Sequence, residues 1–165
     1  VGMDLSEEML DIGRTKITRF NGKIRLETGD AVQLPIEDAQ YDAVTISFGI
    51  RNVPDVPASM REMYRVLDNG GKALILEFSL PKNPIVRFGH LFYLRWVLPL
   101  VGGIISGDYA AYKYLNTSIE AFPYGEAFCD LLRQAGFEQV TAHPVTFGIA
   151  TIYEACKSTG EESTS

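Results

Sequence analysis

A chain of 165 residues with 46% hydrophobic and 22% charged side chains has the length for one domain with a full core and the composition of a soluble globular protein. Its net charge is −6, from 15 basic and 21 acidic residues, and it carries no basic stripe, which argues against a nucleic-acid partner. Cys129 and Cys156 lack metal-ligand spacing, and His90 and His143 are isolated, so no metal site is expected and the histidines read as structural or surface residues.

In chain order, Val1 to Asp4 reads as the tail of a strand with an acid at its end. Ser6 is a good helix N-cap, Glu7 and Glu8 suit the positive end of the helix dipole, and Met9, Ile12 and Ile17 follow at helical spacing until Asn21-Gly22. Ile24 to Glu27 alternates as a short strand that ends at Gly29-Asp30-Ala31. Ala43 to Ile46 is uncharged and rich in β-branched residues, the pattern of a strand buried on both faces. Polar groups gather where it ends: Ser47, Gly49, Arg51 and Asn52. Ligands of open α/β sheets bind beyond the carboxyl ends of strands, so this turn is the first candidate site.

A helix is predicted from Val56 to Leu67, stopped by Asn69-Gly70-Gly71, and a strand from Lys72 to Phe78. Alternating strands and helices call for a parallel sheet with right-handed crossovers. Residues 80–115 break the rhythm with seven aromatic residues. His90, Arg95, Pro99 and a glycine pair interrupt this stretch, which argues against a membrane-spanning helix and leaves a helical cap or an apolar mouth for a large ligand. Helices follow at Ala110 to Ala121 and Glu126 to Ala135. Strands at Phe137 to His143 and Phe147 to Ala155 are joined so tightly that they must form an antiparallel hairpin. Residues 157–165 are polar and are expected to be disordered, leaving one domain over 1–156 with its cap at 80–115. No signal peptide is visible, which predicts a cytoplasmic, reducing location, and the first residues read as the middle of a protein.

Several stretches together resemble the class I S-adenosylmethionine-dependent methyltransferases, and within them the ubiquinone/menaquinone biosynthesis C-methyltransferases. These are Ile46-Ser-Phe-Gly-Ile-Arg-Asn-Val53, Tyr64-Arg-Val-Leu-Asp-Asn-Gly-Gly-Lys-Ala-Leu-Ile-Leu-Glu-Phe-Ser79, Gly29-Asp-Ala31 with Leu34-Pro35, and Asp108-Tyr-Ala-Ala-Tyr-Lys-Tyr-Leu115. The second departs from the family at Asp68 and Asn69, where turn-forming residues replace a basic residue and a proline. The resemblance implies a Rossmann-like α/β sheet, mostly parallel with a C-terminal antiparallel hairpin. It also implies that the family's glycine-rich donor loop and first strand would precede Val1. On that basis the chain is expected to be a C-terminal part of the enzyme, inactive alone.

The implied reaction is C-methylation of a demethylated polyprenyl quinol by S-adenosylmethionine. By position, Asp4 would bind the donor's ribose, Asp30 and Ala31 would flank its adenine, and Ser47 would line its site. Arg51 and Asn52 would face the quinol. Peripheral membrane contact through residues 80–115 and a homodimer closing the strand gap are the expected interactions. The alternatives are a methyltransferase for another small acceptor and a non-catalytic partner in a quinone-biosynthesis assembly.

Overall fold

A computed structural model describes residues 1–20 and 22–160. Asn21 and residues 161–165, on which the predicted end of the first helix and most of the predicted tail fall, lie outside the described residues. The strands are β1 (Gly2–Asp4), β2 (Leu26–Thr28), β3 (Tyr41–Ser47), β4 (Leu67–Phe78), β5 (Gln139–Val145) and β6 (Ala150–Cys156). The helices are α1 (Glu7–Ile17), α2 (Val56–Val66), α3 (Pro84–Phe92), α4 (Leu98–Ser106), α5 (Tyr109–Ala121) and α6 (Glu126–Gln134).

Local signals set most boundaries. Ser6 caps α1 by accepting from the Met9 amide, and Asp55 and Asp108 cap α2 and α5 in the same way. Gly136, at φ 108°, stops the chain after α6 in a conformation that a side chain would strain. The predicted stop of α2 at residues 69–71 is corrected: the helix ends at Val66, because Leu67 already pairs with Tyr41 at the start of β4. Lys157 holds that helix end, its Nζ donating to the carbonyls of Tyr64 (3.0 Å) and Leu67 (2.6 Å), where a cation also suits the dipole.

The four-stranded sheet runs β3-β4-β6-β5. β3 and β4 are parallel, β4 and β6 antiparallel, and β5 and β6 form the predicted antiparallel hairpin. Pro144 is accommodated because β5 is an edge strand. β1 and β2 form a separate parallel pair. Between β1 and β3 lies a groove of about 350 Å³, lined by Met3, Ala31, Leu34, Val44, Ile46 and Met63 among others. This corrects the reading of β3 as buried on both faces. Val44 and Ile46 are half-buried while Ala43 and Thr45 are exposed, since nothing pairs with the strand's groove side among the described residues.

The main core lies between the sheet and the helices α2 and α6. Met60, Met63, Phe128 and Leu132 pack there against Ala73, Ile75, Tyr153 and Ala155. Tyr153 is 1% exposed, and its hydroxyl accepts from the Gly125 amide at 2.7 Å. Burial pushes the pKa of this phenol up.

The cap is α3, a π turn (Tyr93–Val97), α4 and α5. The first three make one continuous helical run, Pro84–Ser106, of 23 residues. By length and composition it qualifies to cross a membrane, contrary to the sequence-based expectation. Each interruption is absorbed. The Leu98 amide bonds to the Tyr93 carbonyl, a π-type step just before Pro99, which has no N–H of its own. Arg95 is paired with Glu120 of α5 at 2.9 Å, and the pair lowers the pKa of the carboxyl. Gly102 lets α4 and α5 approach, since a Cβ there would sit 2.5 Å from the Tyr112 ring. Gly107, at φ 78°, ends α4 in the left-handed region.

Candidate active site

The turn after β3 gathers polar contacts from distant parts of the chain. Phe48 takes a positive φ of 54°, a costly conformation for a side-chain-bearing residue. Its ring packs on Phe78 at a centroid distance of 4.5 Å. A short 3-10 turn, Ile50–Asn52, follows, anchored by the fully buried Ile50.

Within this turn Arg51 points inward. Its guanidinium Nη1 donates to the Phe48 carbonyl and to Glu77 Oε1, both at 2.7 Å, and its Cζ lies 5.2 Å from the centroid of the Phe78 ring. The side chains of Arg51 and Glu77 are only 8% and 2% exposed. Glu77 Oε1 also accepts from the Phe78 amide at 2.8 Å. Two atoms of the pair, Arg51 Nε and Glu77 Oε2, are buried without a partner among the described residues. A buried ion pair pays a large desolvation cost and needs its remaining donors and acceptors satisfied. Here one donor and one acceptor stay open.

Asn52 projects outward, and its Oδ1 accepts from the Tyr114 hydroxyl of α5 at 3.3 Å. The cap is therefore tied to the end of the sheet at this turn. Sequence reasoning reached Arg51 and Asn52 but passed over Glu77 and Tyr114, although both sit inside the motifs that carried the family resemblance. No local signal pairs residues 26 or 62 positions apart.

Asp4 ends β1 and Asp30 lies just past the adjacent parallel β2, and the Gly29 amide ties the two strands together by donating to the Asp4 carbonyl at 3.1 Å. Asp4 Oδ1 accepts from the Ser6 amide (2.8 Å) and Asp30 Oδ1 from the Val32 amide (3.0 Å). In each carboxylate the second oxygen has no hydrogen-bond partner among the described residues. Ala31 borders the groove, and Ser47 ends β3 opposite Leu76. The loop leading from Asp30 to β3 is fastened to α2. Glu62 accepts from the Leu34 amide at 2.8 Å, and Arg65 donates to Glu62, to Asp38 and to the carbonyls of Leu34 and Ile36. Arg65 is the main cause of the lowered pKa of Glu62.

A model of the ubiE/COQ5 methyltransferase family matches residues 1–157. The chain belongs to this family. Over 159 residues it is 43% identical to the ubiquinone/menaquinone biosynthesis C-methyltransferase UbiE of Geobacter sp. strain M21, covering 95% of this chain and 67% of that protein. It is 39% identical over 159 residues to the demethylmenaquinone methyltransferase of Bacteroides fragilis, covering 95% and 65%. The chain thus spans about two thirds of the length of these relatives. Among solved structures it resembles Haemonchus contortus phosphoethanolamine N-methyltransferase 2 in complex with S-adenosyl-L-methionine (TM-score 0.67, 14% identity, 95% of this chain and 43% of that one). It also resembles a SAM-dependent methyltransferase from Aquifex aeolicus (TM-score 0.61, 15% identity, 93% and 66%). At such identities these likenesses establish the fold, the Rossmann-like class I methyltransferase sheet.

A ubiE/COQ5 methyltransferase is an S-adenosylmethionine-dependent C-methyltransferase, and the residues at the ends of β1 and β2 fit that donor. Two carboxylates, each with an oxygen to spare, stand at the ends of the adjacent parallel strands β1 and β2. Spare carboxylate oxygens suit ribose hydroxyls and an exocyclic amine, which are donors.

Proposed function

We propose that this protein methylates a ring carbon of a demethylated polyprenyl quinol in quinone biosynthesis. The observation that carries this reading is the buried Arg51–Glu77 pair at the end of β3, with its open donor and acceptor, next to an aromatic-rich cap. In this reading Asp4 holds the donor's ribose hydroxyls, Asp30 accepts from the adenine amine beside Ala31, and Ser47 lines the site. The donor, when bound, supplies an electrophilic methyl group on a sulfonium.

The chain's own residues make the ring carbon nucleophilic. The quinol must lose its hydroxyl proton as negative charge grows on that oxygen. Arg51 is the positive group that stabilises that charge; its Nε and Glu77 Oε2 are sealed from solvent, so direct contact requires the turn to open around the quinol. Asn52 and Tyr114 hold the ring from the open side, so that carbon and methyl lie in line. The ring carbon that takes the methyl group then loses its own proton, which restores aromaticity.

The same reading places the protein on the cytoplasmic face of a membrane, where a polyprenyl quinol is dissolved. Ile85, Phe88, Phe92, Trp96, Leu100 and Ile104 recur every three to four residues along one exposed face of the cap. That pattern suits an interfacial helix. A homodimer is part of the reading as well. A second copy would lie along the open side of β3, because an unpaired strand edge beside an apolar groove invites pairing.

The test is methyl transfer by the full-length protein to demethylmenaquinol and to a demethylated benzoquinol. Turnover of a prenylated quinol, with a higher KM for the tail-less ring, supports the reading. Turnover of neither, with donor binding intact, would leave the chain as a non-catalytic partner in quinone biosynthesis.

A further inference from the structure

A second cavity, of about 590 Å³, lies under the cap and shares no lining residue with the groove beside β3. That size is typical of sites for small organic ligands. One wall is a face of the cap's long helical run, on which Val86, Gly89 and Tyr93 follow one another at helical spacing. Leu115 and Ile119, one turn apart on α5, and Phe78 at the end of β4 contribute the rest of the argument's wall residues. No lining residue is an acid, a lysine or an arginine. Such a wall gives a polar ligand nothing to orient it, and a water inside it would lack the two to four polar partners it needs. It suits a hydrocarbon chain.

On one side the cavity adjoins the turn after β3. The Phe78 ring in its wall packs on Phe48 at 4.5 Å and lies 5.2 Å from Arg51 Cζ. Leu115 follows Tyr114, whose hydroxyl donates to Asn52. Another edge reaches the surface, where Gly89 and Tyr93 are exposed beside Phe88 and Phe92 of the cap's exposed apolar face. Gly89 has no side chain to close this edge, and a Cβ built there would meet no atom within 4 Å. We propose that this cavity holds the first isoprene units of the methyl acceptor's prenyl tail. The ring stays outside it, at the Arg51 turn, and the rest of the tail leaves past Gly89 toward the membrane. This rests on the quinol reading above and gives that substrate a tail site separate from its ring site. Burying the chain supplies affinity, and the anchored chain delivers the ring to the turn. A branched prenyl chain also fills a cavity of this breadth better than a straight acyl chain does.

The probes are farnesol, a free isoprenoid chain, and 1-dodecanol, a straight chain of the same main-chain length. With the full-length protein, farnesol should give intermolecular NOEs to the methyl groups of Leu98, Leu115 and Ile149, all half-buried in the lining, and should bind more tightly than 1-dodecanol. Gly89→Leu sets an alkyl group in free space at the cavity's edge and removes a glycine from a helix interior, so the fold should survive while farnesol affinity falls about tenfold. Absence of those NOEs, farnesol affinity undiminished by Gly89→Leu, or 1-dodecanol bound as tightly as farnesol would overturn the assignment. Activity separates the tail site from the quinol reading. Gly89→Leu should shrink the KM advantage of a prenylated quinol over its tail-less ring. If a prenylated quinol is methylated and that advantage is unchanged, the inference fails and the quinol reading stands. If no quinol is methylated while the farnesol NOEs are present, the quinol reading fails and the prenyl-binding cavity stands.

Discussion

Replacing Glu77 by Leu tests what the turn after β3 depends on. The Glu77 carboxylate is 2% exposed and sits 2.7 Å from the Arg51 guanidinium, itself 8% exposed. Removing it strands a buried cation, which costs about 3–5 kcal/mol, and it deprives the Phe78 amide of an acceptor, which costs about 1 kcal/mol more. Arg51→Met strands the carboxylate instead and should cost a similar 3–5 kcal/mol. The double variant replaces a buried pair by apolar groups of comparable bulk, an exchange that is often close to neutral. The expected outcome is two strongly destabilised single variants and a double variant within about 1–2 kcal/mol of the parent, hence a coupling of several kcal/mol. Urea unfolding followed by circular dichroism measures it. At a slope of about 2 kcal/mol per molar, each single substitution lowers the midpoint by about 2 M, while the double lowers it by less than 1 M. Single variants that each cost under about 1 kcal/mol, or effects that simply add, would refute the account of this pair as buried and interdependent.

Gly102→Ala would set a Cβ 2.5 Å from the Tyr112 ring, so α4 and α5 must separate; hydrogen exchange should rise in the cap while the sheet amides stay protected. Glu62→Gln should cost about 2 kcal/mol, because the charged acceptor for Leu34 and Arg65 is lost. The pKa of Glu62 is lowered in the fold, so its stabilisation is present above its ordinary value near 4.5 and fades as pH falls through the lower folded value; the variant's acid-side stability curve should be flatter by that amount. Ile104→Ser with Ile105→Ser removes two of the most exposed apolar side chains of the cap and should weaken co-sedimentation with phosphatidylcholine vesicles about tenfold. Size-exclusion chromatography with light scattering at tens of micromolar should report a dimer; a clean monomer would refute edge pairing at β3.

Local chemistry made much of the fold legible in the sequence. Ser6 caps a helix where such a residue usually does, and the short link before Ala150 forces the antiparallel hairpin. The errors share one cause, which is that partners distant in sequence decided the outcome. Leu67 leaves α2 early because Tyr41 pairs with it, and β3 is open on one side because of where β1 and β2 lie. Pro99 survives within a long helical run because a π turn precedes it, and such a turn leaves no compositional mark. At the site, the strand-end positions of Arg51 and Asn52 were readable. That Arg51 faces inward to Glu77, and that His90 lines a cavity, depends on the packing of the cap on the sheet.

Transfer of a 13C-methyl group from labelled S-adenosylmethionine by the full-length protein, followed by NMR of the extracted quinone, is the most direct test of the central claim. The account predicts a methyl carried on a ring carbon of a prenylated product, and loss of that signal when Arg51 is replaced by Met. A methoxy signal would contradict it, as would labelled ring-methyl product formed undiminished by the Arg51→Met protein.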